Sequence, residues 1–300
     1  MVHLFEFSKN LKFRRAFKVL RYLIMAAAIF WMLRLLSLNW QEMGDAAKNL
    51  NPSWLLLALI LNLMLLLLMA FGWVIAVSFT GEKISLVLGT SIYYQTSLLR
   101  YLPGSVWNFP GRGYLVQQRG ISIQSFTQSI FVEQFFLISI AAMIASGRLT
   151  GIFNISWLPI GVVTGFLILI SLLFLSYRLV PVQISNIFKL KSISIYKVIL
   201  ISINYLFVWL LYGLEVLVLL KAFPNITDPT GWDVISSNTA AWLLGFISLA
   251  PVGIGVREVS LSALLGSTIG PIAVIASLMQ RVIEIIAELG LWILFRFYKP

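Results

Sequence analysis

Apolar residues run along this chain in long stretches separated by short polar joints. The uninterrupted stretches lie at about 18–38, 53–79, 122–147, 157–177, 194–223 and 271–296. Each matches the roughly 20 residues that a helix needs to cross a bilayer core of about 30 Å. Two further regions, 84–120 and 233–268, are apolar overall but interrupted by Pro, Gly and Arg. The pattern predicts an all-α polytopic membrane protein with about six full spans and two broken, re-entrant helical hairpins. No stretch of soluble character is long enough for a second folding unit, so residues 1–300 read as one transmembrane domain. Its parts are a basic segment 1–21, a first half 22–177, a connection 178–193 and a second half 194–300.

Charge orients this layout. Lys9, Lys12, Arg14, Arg15, Lys18 and Arg21 crowd the start of the chain, a cytoplasmic anchor attracted to anionic lipid headgroups. Residues 22–38 lack a small-x-small cleavage pattern and further spans follow, which predicts a retained helix and not a signal peptide. The 177–193 connection carries Arg178, Lys189 and Lys191 without an acid, so it belongs inside. The 39–52 joint, with Glu42 and Asp45 beside Lys48, and the 224–233 joint, with Asp228 and Asp233, suit the outside.

With 80–83 and 177–193 both inside, 122–147 and 157–177 supply the two crossings between them. Region 84–120 must then enter and leave on the inside, with its break near Pro103–Gly104. By the same count 233–268 enters and returns from the outside, breaking within "LAPVGIGVRE" (249–258). Both termini are then cytoplasmic. Each broken region precedes a long helix with an embedded acid: Glu133 lies 30 residues after Pro103, and Glu284 lies 33 after Pro251. Interrupted segments at corresponding positions, in opposite orientations, point to an inverted repeat with a site near the midplane.

Composition narrows the chemistry. Charged residues are 11% of the chain, against about 25% in soluble domains. Cysteine is absent and His3 is the one histidine, which removes disulfides, thiolate or His-rich metal sites and Ser-His-Asp catalysis. No Walker loop, dinucleotide fingerprint or HExxH occurs, so no cofactor is expected. The net charge of +11 is concentrated at the N-terminus and otherwise scattered among apolar spans, which speaks against nucleic acid.

The embedded charges are Arg100, Arg112, Glu133, Glu215, Arg257, Glu258, Arg281, Glu284 and Glu288. At about 2.5–3.5 kcal/mol each on the insertion scale, an unpaired set would cost on the order of 20–30 kcal/mol, beyond a typical stability of about 5–15. Pairing, a wet cavity or both must offset that cost. Arg281, Glu284 and Glu288 share one helix face. That face must look inward, where the three read as a mutually paired triad.

A helix broken inside a membrane frees backbone N–H groups, which is tolerable only beside protein or a water-lined cavity. Half-helix N-termini bind anions. Gly104, Gly111, Gly113, Gly253 and Gly255 let backbone approach a ligand closely. Arg100, Arg112 and Arg257 add fork-shaped donors suited to phosphate. The arrangement predicts a phospholipid headgroup site, with phosphate on Arg and N–H groups and a cationic headgroup on Glu133 or Glu284. An ion-pair network that pins two bent helices explains the same charges, and the two readings are compatible.

These residues carry a family resemblance. "RYLPGSVWNFPGRG" (100–113), Glu133 one helix later, "PVGIGVRE" (251–258) and Arg281 in the last helix together resemble the flippase-like membrane domain of lysylphosphatidylglycerol synthases. The stand-alone proteins with that domain look closer still, over about residues 15–298. Arg100, Pro103, Gly104, Glu133, Pro251, Gly253, Gly255, Glu258 and Arg281 occupy the matching motif positions. Val252 stands where a glycine is usual, which stiffens the second turn. The resemblance implies a lipid-translocating role. It does not imply synthase activity, because the soluble aminoacyl-transferase domain is absent from these 300 residues.

The expected function is a flippase-like transporter of the cell membrane. It would move an anionic or zwitterionic phospholipid, or a lipid-linked sugar, between leaflets, and an oligomer is compatible with the sequence. The headgroup site is expected at Arg100, Pro103, Gly104, Arg112, Glu133, Pro251, Gly253, Gly255, Arg257, Glu258, Arg281 and Glu284. The rival is an intramembrane enzyme with Glu133, Glu258 or Glu284 as general base, although no nucleophile or metal set accompanies them.

Overall fold

A computed structural model of the chain describes residues 51–101, 106–153, 194–223, 230–248, 250–266 and 269–297, with positions 30, 34 and 37. Among these residues every regular element is a helix. Helix α1 (Pro52–Ser78) begins where the Asn51 side chain accepts the Ser53 N–H at 3.0 Å, with proline in the first turn. That is the usual chemistry of a helix start. Helix α2 (Leu86–Ser97) is capped by Ser85 and runs into a 3-10 turn, Leu98–Tyr101. Helices α3 (Asn108–Gln117) and α4 (Ile123–Phe153) follow.

The second set opens with α5 (Ile195–Lys221), capped by Ser194, and α6 (Gly231–Ile247), capped by Thr230. A 3-10 turn at Pro251–Gly253 leads to α7 (Val256–Leu265), and α8 (Gly270–Arg296) closes the described chain. Each interrupted region therefore holds two helices with a 3-10 turn between them. The expected spans at 18–38 and 157–177 lie outside the described residues apart from the three isolated positions, as do Pro103, Gly104, Lys189 and Asp228.

Helices α1, α4 and α5 are long and apolar enough to cross a membrane. A helix of 27 residues, the length of α1 and α5, is about 40 Å long, more than a hydrocarbon core of about 30 Å. Helix α8 has the same length but carries Arg281, Glu284 and Glu288. Its outward stripe is Val282, Ile285, Ile286, Leu289 and Ile293, all exposed, at the i, i+3, i+4, i+7 spacing of one helix face. The charged face is turned into the protein, with Glu288 buried and the other two half-buried. Apolar outside and charged inside is the arrangement that a lipid solvent selects.

Helices α1 and α5 form an antiparallel central pair. Asn51 N–H meets the Ala222 carbonyl (3.2 Å) at one end, and Lys197 Nζ meets the Ser78 carbonyl (2.7 Å) at the other. Gly213 brings α5 against α6 so closely that a Cβ there would lie 2.5 Å from Ile235 Cα.

Around the central pair the packing is symmetric. Helix α2 packs on α8 as α6 packs on α4. Helix α1 meets α4 and α8 as α5 meets α8 and α4, and each short helix packs on its own long helix, α3 on α4 and α7 on α8. Exchanging α1–α4 with α5–α8 leaves the pattern unchanged. Since the two first helices run in opposite directions, the halves are related as an inverted repeat.

The second break is strained at one position. Gly253 and Gly255 take φ of 67° and 81°, as glycines can, but Val252 sits beside them at φ 53°, ψ 18°. A β-branched residue in the left-handed region is an outlier. The conformation costs about 1–2 kcal/mol for an L-residue, and glycine would return about 0.5–1 kcal/mol of that as extra freedom in the unfolded chain. Val252→Gly is therefore expected to stabilise by roughly 0.5–1 kcal/mol by that difference, read as a raised thermal midpoint in detergent. A lowered midpoint would show that the valine side chain contributes more by packing than its backbone loses by strain.

Candidate functional site

In the first half, Arg112 on α3 pairs with Glu133 on α4. Arg112 Nη1 lies 3.1 Å from Glu133 Oε2, and the side chains are 2% and 1% exposed. The guanidinium also lies over the rings of Tyr93 (3.9 Å to the centroid) and Trp73 (4.8 Å), so aromatic faces cover what the carboxylate leaves open. Gly111 and Gly113 flank Arg112 and let α3 approach its neighbours. A Cβ at Gly111 would lie 2.6 Å from Leu99, and one at Gly113 would lie 3.0 Å from Phe126.

In the second half the equivalent pair has its polarity exchanged. The acid, Glu258, is on the short helix α7 and the base, Arg281, is on the long helix α8, with Nε 2.5 Å from Oε1. Glu258 is the third residue of α7, and its Oε2 accepts the Gly255 N–H at 2.7 Å. The side chain thus caps its own helix start while holding α8. Each half ties its short helix to its long one with one ion pair, fully buried in the first half and part-buried on the Arg281 side in the second.

This corrects the triad expected on α8. Arg281 reaches across to Glu258 and does not serve Glu284 or Glu288. Those two carboxylates meet Arg100, which comes from the 3-10 turn of the first half, with Nη2 2.6 Å from Glu284 Oε1 and 2.6 Å from Glu288 Oε1. The physical reason is that a short helix packed on each long one supplies its own ion partner, leaving an i, i+4 acid pair whose two Oε1 atoms meet one guanidinium nitrogen from the opposite half. Arg100 is 26% and Glu284 20% exposed by side chain, whereas Glu288 is 1%. The Arg100–Glu284 pair is the open edge of the network.

Arg257 differs from the other arginines. It is buried and donates from Nη2 to the Tyr212 hydroxyl, with its guanidinium against that ring. Among the described residues no carboxylate pairs with it. Its stem lies against Gly245 and Gly253, and a Cβ at Gly245 would lie 2.5 Å from Arg257 Cγ. Arg257 adjoins Glu258 on α7, Glu258 holds Arg281 on α8, and Glu284 one turn along α8 meets Arg100. These links gather Arg100, Gly253, Gly255, Arg257, Glu258, Arg281 and Glu284 into one charged region.

Arg112 and Glu133, expected to meet a headgroup, are closed on each other. Pro251 contributes the turn that precedes α7. Residues that the sequence reading did not place in the site include Tyr212, which holds Arg257, and the amides Asn62 and Gln280, which hold Glu215.

No curated protein matches the chain. The family model described as the lysylphosphatidylglycerol synthase TM region matches residues 18–290. That range contains both interrupted hairpins and every charged residue of the network, and the chain belongs to this family, a membrane domain associated with lipid or headgroup handling.

Proposed function

We propose that the protein moves a phospholipid, or a lipid-linked headgroup, between leaflets. In this reading phosphate is received by Arg257 and Arg100, and the cationic part of a zwitterionic headgroup by Glu284. The observation that carries it is Arg257, a buried guanidinium that among the described residues is held by a phenol and paired with no carboxylate. A buried cation without a directly paired anion is costly, and phosphate oxygens would complete it by accepting from the guanidinium N–H groups.

The Arg100–Glu284 pair, the open edge of the network, supports the same reading. A headgroup that reaches this edge could share Arg100 with its phosphate and Glu284 with its cation, while Glu288 keeps Arg100. The two closed pairs, Arg112–Glu133 and Glu258–Arg281, hold the hairpins meanwhile. Acyl chains would stay in the bilayer along apolar surfaces such as the outward stripe of α8. Membership of the family supports lipid handling in general. The rival enzyme gains no support from the geometry, because Glu133 and Glu258, two of its candidate bases, are each tied to an arginine.

The test is leaflet exchange of a fluorescent phospholipid in reconstituted vesicles, read with a membrane-impermeant quencher. Arg257→Gln strands no carboxylate, so the protein should fold. Exchange should fall by about tenfold or more, equivalent to about 1.4 kcal/mol of headgroup interaction, with the lipid recovered chemically intact. Exchange at the wild-type rate, or an altered headgroup, would overturn the reading.

A further inference from the structure

A third polar cluster lies between α1, α5 and α8, and the proposed headgroup route does not use it. Glu215 on α5 is fully buried. Asn62 Nδ2 on α1 donates to both of its oxygens, at 3.1 and 3.0 Å, and Gln280 Nε2 on α8 donates to Oε2 at 3.1 Å. Two neutral amides thus hold an acid that no arginine or lysine pairs with among the described residues.

The surrounding charges offer it nothing. Helix α1 has no charged residue, and those of α5 besides Glu215, Lys197 and Lys221, stand at its two ends. On α4, Glu133 is paired with Arg112, and Arg148 meets Asp233 of α6 at 3.4 Å. On α8, Arg281 is held by Glu258 and Glu288 by Arg100. Glu284, one turn beyond Gln280 on α8, is a like charge.

Two buried oxygens in the cluster, Asn62 Oδ1 and Gln280 Oε1, have no hydrogen-bond partner. A protonated carboxyl would need one such acceptor. Gln280 is pinned, because its Nε2 also donates to the Tyr212 carbonyl at 3.0 Å. Asn62 is not pinned in this way. A half-turn of its amide presents oxygen to Glu215 in place of N–H with almost no change of shape. The cluster therefore suits both forms of the acid, with N–H groups for the carboxylate and the turned Asn62 oxygen for the carboxyl O–H. A sodium ion would require both amide oxygens, at the expense of the Gln280–Tyr212 bond, whereas a proton needs one.

We propose that Glu215, with Asn62 and Gln280, is an intramembrane proton-binding site coupled to the second broken hairpin. The step is a simple proton gain by the carboxylate from water, with no other bond made or broken. The coupling runs through adjacent groups. Gln280 precedes Arg281, the partner of Glu258, and Tyr212 lies one turn from Glu215 and holds Arg257. That this proton drives or gates lipid movement rests on the translocation reading above.

The test uses the full chain in liposomes. Infrared difference spectra between acidic and alkaline pH should show a carboxyl band in a dry environment. Glu215→Gln should abolish the band, and replacing sodium by choline should leave it in place. Asn62→Leu, which keeps the acid but removes the turning amide, should shift the band, and it secures the reading if Glu215→Gln does not fold. Spectra identical in wild type and both variants, or a change that follows sodium and not pH, would overturn the site. In the same vesicles a pH gradient should change wild-type lipid exchange several-fold and leave Glu215→Gln indifferent. A carboxyl band without any lipid exchange supports the proton site and sinks the translocation reading. Exchange that ignores the gradient despite the band overturns the coupling.

Discussion

Arg112→Met alone will cost the protein about 3–5 kcal/mol, the usual penalty for stranding one member of a buried ion pair. Arg112 and Glu133 are almost wholly excluded from solvent, so water cannot take over the role of the lost guanidinium. The loss is large against a total stability of about 5–15 kcal/mol, and the variant should give little monodisperse protein in detergent. Arg112→Met with Glu133→Gln removes both charges and should recover most of the stability, because apolar or neutral replacement of a buried pair is often nearly neutral. Thermal unfolding of the two single variants and the double variant forms a closed cycle. If the double variant is as unstable as the singles, the pair is not what holds α3 to α4. If all three are stable but lipid exchange is lost, Arg112 and Glu133 return to the headgroup site.

The mirror experiment is Arg281→Met with and without Glu258→Leu. There the double variant should recover less, because leucine also removes the oxygen that caps α7 by accepting the Gly255 N–H. The contrast between the halves follows from their exchanged polarity. A carboxylate on a short helix can cap it, and an arginine in the same place cannot.

Much of the fold was legible because a lipid solvent writes it into the sequence as length and hydropathy. The runs at 53–79, 122–147, 194–223 and 271–296 became α1, α4, α5 and α8 within a few residues at most ends. The pairing of charges was not legible. Arg281, Glu284 and Glu288 share one face of α8, and one helix read alone suggests that they serve one another. Their partners come from elements 23 and 184 residues away, a separation that no local pattern reveals. The polarity exchange between the halves hid in the same way which charges correspond: spacing along the chain matches Glu133 with Glu284, whereas Arg112 corresponds to the acid Glu258 and Glu133 to the base Arg281.

The Glu215 cluster had a faint signal. Asn62 is the one amide within the apolar run of α1, and Gln280 adjoins Arg281 in "MQRVIE". A lone amide in a span signals a polar partner on another helix. It does not say that the partner is an acid.

The geometry puts a second transport experiment at Arg100. Arg100→Met alone leaves Glu284 and Glu288 facing each other one turn apart without their cation, and the protein should lose stability, chiefly through the buried Glu288. The informative variant is Arg100→Met with Glu284→Gln and Glu288→Gln, which leaves no uncompensated charge and keeps Arg112–Glu133 and Glu258–Arg281 to hold the hairpins. It should insert and remain monodisperse. Its lipid exchange should fall by about tenfold or more, equivalent to at least about 1.4 kcal/mol, because the half-exposed edge that receives a headgroup has become neutral. Glu284→Gln alone separates the two parts of the headgroup, slowing exchange of zwitterionic lipids more than anionic ones. Should the triple variant exchange lipid at the wild-type rate, the Arg100 cluster is a clasp between the two halves, and the headgroup site contracts to Arg257 and the glycine turn beneath it.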